Sequence, residues 1–222
     1  MGEFKMGVIL SGSGVYDGSE LHEAVLTLLA IDRAGARAVC AAPDIPQAHV
    51  IDHLSGQPVE GESRRVLAES ARISRGEIQD LAGLRAGELD AIILPGGFGA
   101  AKNLCDFAFN GAECTVHREV GRLVLEALEA GIPVGAMCIA PVILAKVLGP
   151  RNPLLTIGSD PGTAAALESM GARHQNCATA DVVIDAELKV VTTPAYMTAA
   201  SIAEAAVGIE KLVQTVIDLA RR

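Results

Sequence analysis

Apolar positions along the chain follow two alternating rhythms almost from the start. Residues 7–11 (GVILS) are a short continuous apolar run, residues 19–34 set Leu21, Val25, Leu28, Leu29 and Ile31 at helical spacing, and residues 36–42 return to a strand-length run. Further apolar runs at 90–94, 133–137 and 154–157 are separated by helical stretches such as 114–130 and 163–170. Strands without an alternating polar face are buried on both sides. The pattern therefore predicts an α/β, three-layer sandwich with a mainly parallel sheet, in which ligands meet the loops at the carboxyl ends of the strands. Residues 43–88, with three prolines and a polar helix around 62–74, read as an insertion with small elements of its own. Residues 182–184 and 190–193 flank a turn and predict a hairpin, and 199–220 predict one or two closing helices. A single domain over 6–222, inserted at about 43–88, is the expected organisation. Met1 to Lys5, ahead of a second methionine at Met6, are set apart as a possible tag remnant.

Composition narrows the chemistry. The 222 residues carry 27 acids against 18 Lys plus Arg, a formal charge of −9, and 3% aromatics with no Trp. Clustered cations and stacking rings are what nucleic-acid binding needs, so no nucleic acid is expected as a partner. Half the chain is hydrophobic, yet the longest apolar candidate, 132–145, is broken by two prolines, so no membrane partner is expected either. The N-terminus lacks the pattern of a secretory signal, and a cytoplasmic location is the resulting expectation. Five cysteines, with no C-x-x-C pair, fit reduced thiols and no metal site.

Three loops after strands carry candidate chemistry. Residues 11–20 are glycine-rich, but their G-x-G-x-x-x-G spacing misses the dinucleotide fingerprint and puts Asp17 where a pyrophosphate would sit. The plainer reading is a helix N-cap at Asp17 or Ser19, with Glu20 in the first turn and Glu23 one turn further in. Residues 94–103 (LPGGFGAAKN) offer exposed amides for an oxyanion site or simply a tight turn, and Lys102 lacks the Walker context. Residues 133–141 (PVGAMCIAP) deliver Cys138 to a strand-to-helix elbow, with Pro141 suited to the first helical turn. A helix N-terminus favours thiolate, so Cys138 reads either as an activated nucleophile or as a small core residue. Cys40 reads as core, and Cys105, Cys114 and Cys177 as inert thiols in or near loops. The histidines, at 22, 49, 53, 117 and 174, read as solvated or packed.

Glu23 on the first helix, L-P-G-G-F-G after a middle strand and A-M-C-I-A-P at an elbow, in that order, resemble the class I glutamine-amidotransferase-like superfamily. Within it, G-V-I-L-S-G-x-G-V-Y-D-G-S-E, P-G-G-F-G-A-A-K-N-L and V-T-T-P-A-Y-M resemble the ElbB-type, isoprenoid-biosynthesis branch of the DJ-1/PfpI group, over nearly the whole chain. The resemblance implies a flavodoxin-like fold, a homodimer, and cofactor-independent glyoxalase III-like lyase activity that converts the small dicarbonyls glyoxal or methylglyoxal to glycolate or lactate. It implies Cys138 as nucleophile, Glu23 as its acidic partner, and the backbone at Gly96, Gly97 and Ile139 as the oxyanion site. Two departures stand out. Ile139 occupies the place where the peptidases carry a histidine, and 156–160 lacks the histidine of several relatives, leaving Asp160 or His22 as substitutes. The alternatives are a redox-responsive stress or regulatory protein with an oxidisable cysteine, or a partner-dependent amidase subunit. Tyr16, Phe98 and Tyr196, all in strand-end loops, are expected to wall a small pocket.

Overall fold

The computed structural model describes residues 3–222. Met1 and Gly2 of the segment set apart above lie outside them, whereas Lys5 already belongs to the first strand, β1 (Lys5–Ile9). The chain continues through α1 (Leu21–Arg33) into β2 (Arg37–Ala42). The ribbon β3 (Ile51–Asp52) and β4 (Gln57–Pro58), helix α2 (Val66–Ile73) and strand β5 (Ile78–Asp80) follow. Then come β6 (Ala91–Leu94), two short helices α3 (Phe98–Lys102) and α4 (Phe107–Asn110), α5 (Arg118–Ala130) and β7 (Val134–Met137). Helix α6 (Pro141–Leu148) leads to β8 (Leu154–Leu155), α7 (Pro161–Ser169) and β9 (Arg173–His174). The hairpin β10 (Val183–Asp185) and β11 (Val190–Thr193) precedes a single closing helix α8 (Ile202–Ala220).

Seven strands form the central sheet in the order β10-β11-β7-β6-β1-β2-β5. All neighbours pair in parallel except the β10–β11 hairpin. Period-two alternation splits each strand between two cores: in β6, Ile92 and Leu94 face α5 and α6, while Ala91 and Ile93 face α1 and α8. Every residue of β6, β7 and β11 is buried, which is why these strands read as unbroken apolar runs. The sheet is thus covered by helices on both faces, a flavodoxin-like sandwich.

Several local expectations shift. The run at 154–157 does not join the main sheet; Leu154–Leu155 pairs with Arg173–His174 in a separate ribbon. Within 43–88, β5 hydrogen-bonds to β2 and forms one edge of the central sheet, so this segment is not wholly separate from the main fold. Helix α1 is capped by Glu20, whose carboxylate accepts from Glu23 N–H at 2.7 Å, and not by Asp17 or Ser19. Asp17 accepts instead from Ile51 N–H at 2.7 Å and Ser19 from Ser11 N–H at 2.9 Å, tertiary partners that local sequence does not announce. Because β11, β7, β6 and β1 are neighbours, the loops that follow them meet at one end of the sheet.

Candidate active site

Cys138 follows β7 with φ +58°, left-handed backbone that a non-glycine residue adopts at a cost of about 1–3 kcal/mol. Its N–H donates to Thr193 O at 3.1 Å, and Pro141 opens α6 three residues later. The thiol is thus held at a tight elbow between the strand's end and the helix's start, 9% exposed.

Glu23 approaches from the other side of the sheet end. It is fully buried, and both oxygens are held by backbone donors: Oε1 accepts from Tyr196 N–H at 3.1 Å and Oε2 from Gly96 N–H at 2.9 Å. Gly96 fills the space between the two side chains. A methyl group there would lie 2.5 Å from Cys138 Cβ, 2.7 Å from Glu23 Oε2 and 3.0 Å from Cys138 Sγ. The next residue, Gly97, has φ +93°, and the backbone amides of Gly97 and Ile139 lie near enough to the sulfur to favour its ionised form.

Burial dominates the ionisation of this pair. It pushes the Glu23 carboxyl up from 4.5 to about 7, helped by repulsion from Glu20 and opposed by the donors at Tyr196, Cys138 and Gly96. Burial and then the Glu23 charge push the Cys138 thiol well above its ordinary range, against the Gly97 and Ile139 amides. The expectation that a helix terminus favours thiolate is therefore corrected: amide dipoles are outweighed by desolvation and a neighbouring carboxyl, and the resting sulfur is a thiol. Glu23 is the group that exchanges a proton near neutral pH.

A cavity of about 370 Å³ opens above the sulfur. Val15, Phe98, Phe107, Ile139, Tyr196 and Met197 supply apolar surface, and Glu20 adds a carboxylate to the wall. Of the residues anticipated from sequence, Cys138, Gly97, Ile139, Phe98 and Tyr196 line this cavity, while Gly96 and Glu23 lie directly beneath. Tyr16 does not join them. It is 41% exposed, packs its ring 5.1 Å from His53, and offers its carbonyl to Lys102 Nζ at 2.8 Å. Asp160 is exposed too, spent on capping α7 through Thr163 N–H at 2.7 Å, so it offers no substitute for an absent histidine. His22 Nδ1 lies 2.8 Å from the Tyr196 hydroxyl, at the edge of the cavity.

Sequence reasoning missed Glu20, Phe107 and Met197 as wall residues and the Tyr196 N–H as a holder of Glu23. The last two lie in T-T-P-A-Y-M, whose Ala195 has φ +44° and begins the turn that aims Tyr196 N–H at the carboxylate. Phe107 lies well past the end of its strand and carries no such marker.

The glycine-rich first loop is occupied by its own contacts. Its amides are taken up, Gly12 N–H donating to Ser70 Oγ at 2.9 Å, Gly14 N–H to Ser19 O at 3.0 Å and Gly18 N–H to Gly14 O at 2.7 Å. Its carbonyls at Ser11 and Asp17 accept from Asn103 Nδ2 and that of Val15 from Phe98 N–H. It is a support for the second loop, with its three glycine amides already bonded within the protein. Cys40 and Cys105 are buried, with thiols pushed up to about 11 and about 12 by desolvation. Cys114 is buried as well, so two of the thiols expected near loops are packed inside. Among the described residues no cluster of three or more His, Cys, Asp or Glu is placed to hold a metal ion, and no helix is long and apolar enough to cross a membrane.

No protein-family model matches the chain. Individual proteins do. The human glutamine amidotransferase-like class 1 domain-containing protein 3, mitochondrial, is 48% identical over 224 residues, 97% of this chain and 83% of that protein. The rat ES1 protein homolog, mitochondrial, is 46% identical over 97% of this chain and 84% of its own. A crystal structure of an isoprenoid biosynthesis protein with amidotransferase-like domain from Ehrlichia chaffeensis superposes with TM-score 0.90 at 34% identity, covering 97% of this chain and 99% of that one. Glyoxalase III from Candida albicans, with TM-score 0.63 and 15% identity over 97% of each chain, shares the fold. The mitochondrial names overturn the cytoplasmic expectation. That expectation weighed only the features of a secretory signal, whereas mitochondrial targeting rests on a different, amphipathic and Arg-rich pattern.

Proposed function

This chain belongs to the family of glutamine amidotransferase-like class 1 domain proteins and ES1 proteins, and on that premise we propose that it is a cofactor-independent, glyoxalase-like enzyme acting on small 2-oxoaldehydes. The observation that carries the reading is the buried Glu23 carboxyl, raised to about 7, beside an elbow thiol whose ionised form two backbone amides favour. A base with this property can take the thiol proton as sulfur adds to the aldehyde carbon, giving a hemithioacetal whose oxygen is met by the Gly97 and Ile139 amides. Glu23 passes the thiol's proton to the hemithioacetal oxygen and, a carboxylate again, removes the proton on that carbon and returns it to the neighbouring carbon, while the hydroxyl proton shifts to the neighbouring oxygen. The first carbon is oxidised and the second reduced, so the thioester forms with no external redox partner. Water cleaves the thioester, releasing a 2-hydroxy acid and restoring the thiol. For glyoxal and methylglyoxal the products are glycolate and lactate.

The redox-responsive alternative requires a thiolate at rest, and the raised Cys138 thiol does not favour it. An amidase reading has support in the relatives' amidotransferase name, but it needs a histidine partner for the cysteine, and His22 is bonded to the Tyr196 hydroxyl. The reading extends to a homodimer: Leu21, Val25 and Leu29, one stripe of α1, are 45%, 52% and 38% exposed and suit a second copy. A link to isoprenoid synthesis rests on the name of the Ehrlichia relative alone.

The test is acid formation by purified protein from glyoxal and methylglyoxal, compared with Cys138→Ala and Glu23→Gln. Turnover by the wild type and its loss in both variants is expected. Wild type forming no more acid than Cys138→Ala overturns the enzyme reading.

A further inference from the structure

The chamber above Cys138 is poorly matched to the dicarbonyls named so far. Its volume of about 370 Å³ falls in the range of about 300–1,000 Å³ typical of sites for larger organic ligands. At about 30 Å³ per water it holds roughly a dozen, and a three-carbon dicarbonyl displaces only a few of them. The lining is mainly apolar, with Phe98, Phe107 and Met197 beside Cys138 in the wall and Thr163 among the few polar residues. No Lys, Arg or His is among the lining residues. The Lys102 ammonium lies 5.3 Å from the Phe98 ring and donates to Tyr16 O, and Lys102 itself is absent from the wall. Glu20 is in the wall instead, its carboxylate accepting from Glu23 N–H, and the buried Glu23 carboxyl lies beside Cys138 below it.

From this chamber we infer the substrate class: an uncharged 2-oxoaldehyde bearing an apolar aryl or branched-alkyl group, bound with its aldehyde at Cys138 and its apolar end against Phe98, Phe107 and Met197. This deepens the function proposed above and rests on it. Burying a ring-sized apolar group strengthens binding by about 10- to 100-fold, and a short dicarbonyl gains none of this. A substrate carrying a carboxylate or phosphate brings its charge against Glu20 with no Lys, Arg or His in the wall itself. His22, 3.9 Å from the Glu20 carboxylate, is outside the wall and lies against the Tyr196 hydroxyl. The same arrangement disfavours retention of the anionic product acid.

Two measurements test the inference. The first compares kcat/KM for phenylglyoxal, methylglyoxal and the anion glyoxylate in the wild type, in Phe107→Ala and in Ala108→Trp, the last placing bulk at the exposed rim of the chamber. Phenylglyoxal is expected to exceed methylglyoxal by about 10-fold or more, with glyoxylate lowest, and both variants are expected to shrink that ratio. Methylglyoxal equal to or better than phenylglyoxal in the wild type overturns the inference while leaving the glyoxalase reading intact.

The second measurement needs no turnover. Phenacyl bromide, iodoacetamide and iodoacetate each form an S–C bond and expel halide, and mass spectrometry reads their labelling of Cys138 against Cys177, a partly exposed thiol outside the chamber. With each reagent normalised to its reaction with glutathione, the Cys138 to Cys177 ratio is expected to rise about 10-fold or more from iodoacetate to phenacyl bromide. An unchanged or reversed ratio, or a Cys138 reached by none of the three, overturns the inference. If the ratio rises but no oxoaldehyde is turned over, the apolar, uncharged ligand class stands and the glyoxalase reading fails.

Discussion

Glu23→Gln removes a titratable group from a fully buried position while keeping its size. The native carboxyl holds its proton up to about pH 7, whereas in the unfolded chain it gives it up near 4.5. Between those values the folded state binds more protons, so unfolding becomes easier as pH rises. The contribution of Glu23 is complete below about pH 4.5 and is lost as pH climbs through about 7. Across that interval, from 4.5 to about 7, at about 1.4 kcal/mol per pH unit, the loss amounts to about 3 kcal/mol. Gln has no such dependence. It does set an amide N–H against one of the two donors at Gly96 and Tyr196, a cost of about 1–3 kcal/mol that does not vary with pH. The variant is therefore less stable than wild type near pH 4.5, and the gap closes by about 3 kcal/mol on going to pH 8. Urea unfolding followed by circular dichroism at half-unit pH steps, with linear extrapolation to water, measures both curves. Wild-type and variant stabilities that run parallel within about 1 kcal/mol over this range would refute the claim that burial raises the Glu23 carboxyl.

Three further outcomes are expected. If Glu23 acts as the base, kcat/KM for an oxoaldehyde rises with pH through about 7 and then levels; steady-state assays from pH 5.5 to 8.5 check this, and residual activity of the Gln variant lacks the rise. Gly96→Ala forces a methyl group to 2.5 Å from Cys138 Cβ, so turnover falls by about 100-fold or more and stability by about 1–3 kcal/mol, read from acid formation and urea midpoints. Asn103→Ala deletes the bonds to Ser11 O, Asp17 O and Ala48 N–H; at about 1 kcal/mol each it destabilises by about 3 kcal/mol, or about 6–12 °C by calorimetry.

The elements that carry the site were legible because their signals are local. Pro141 three residues after Cys138 and the paired glycines after β6 mark sharp turns wherever they occur, since they act through their own backbone freedom. Glu23 was reached differently: nothing in its immediate neighbours separates it from Glu20, and only the family resemblance singled it out. The aromatic wall was half legible. Phe98 and Tyr196 lie in strand-end loops and face the cavity, but Tyr16, in an equally placed loop, turns outward to His53, and Phe107, without a strand-end position, turns inward.

The sequence by itself determined the layered α/β architecture, the elbow at Cys138 and the loops that meet it, because periodicity and turn chemistry depend on residues a few positions apart. Only the tertiary structure decided what kind of site those loops make. Whether Cys138 rests as thiol or thiolate depends on how much water the β11, β7, β6 and β1 strand ends exclude together, and that desolvation outweighs the helix terminus visible in the sequence. The release of Asp17 to bind Ile51 and the joining of β5 to the sheet edge likewise depend on partners tens of residues away. Such partners are fixed by packing, which no local pattern records.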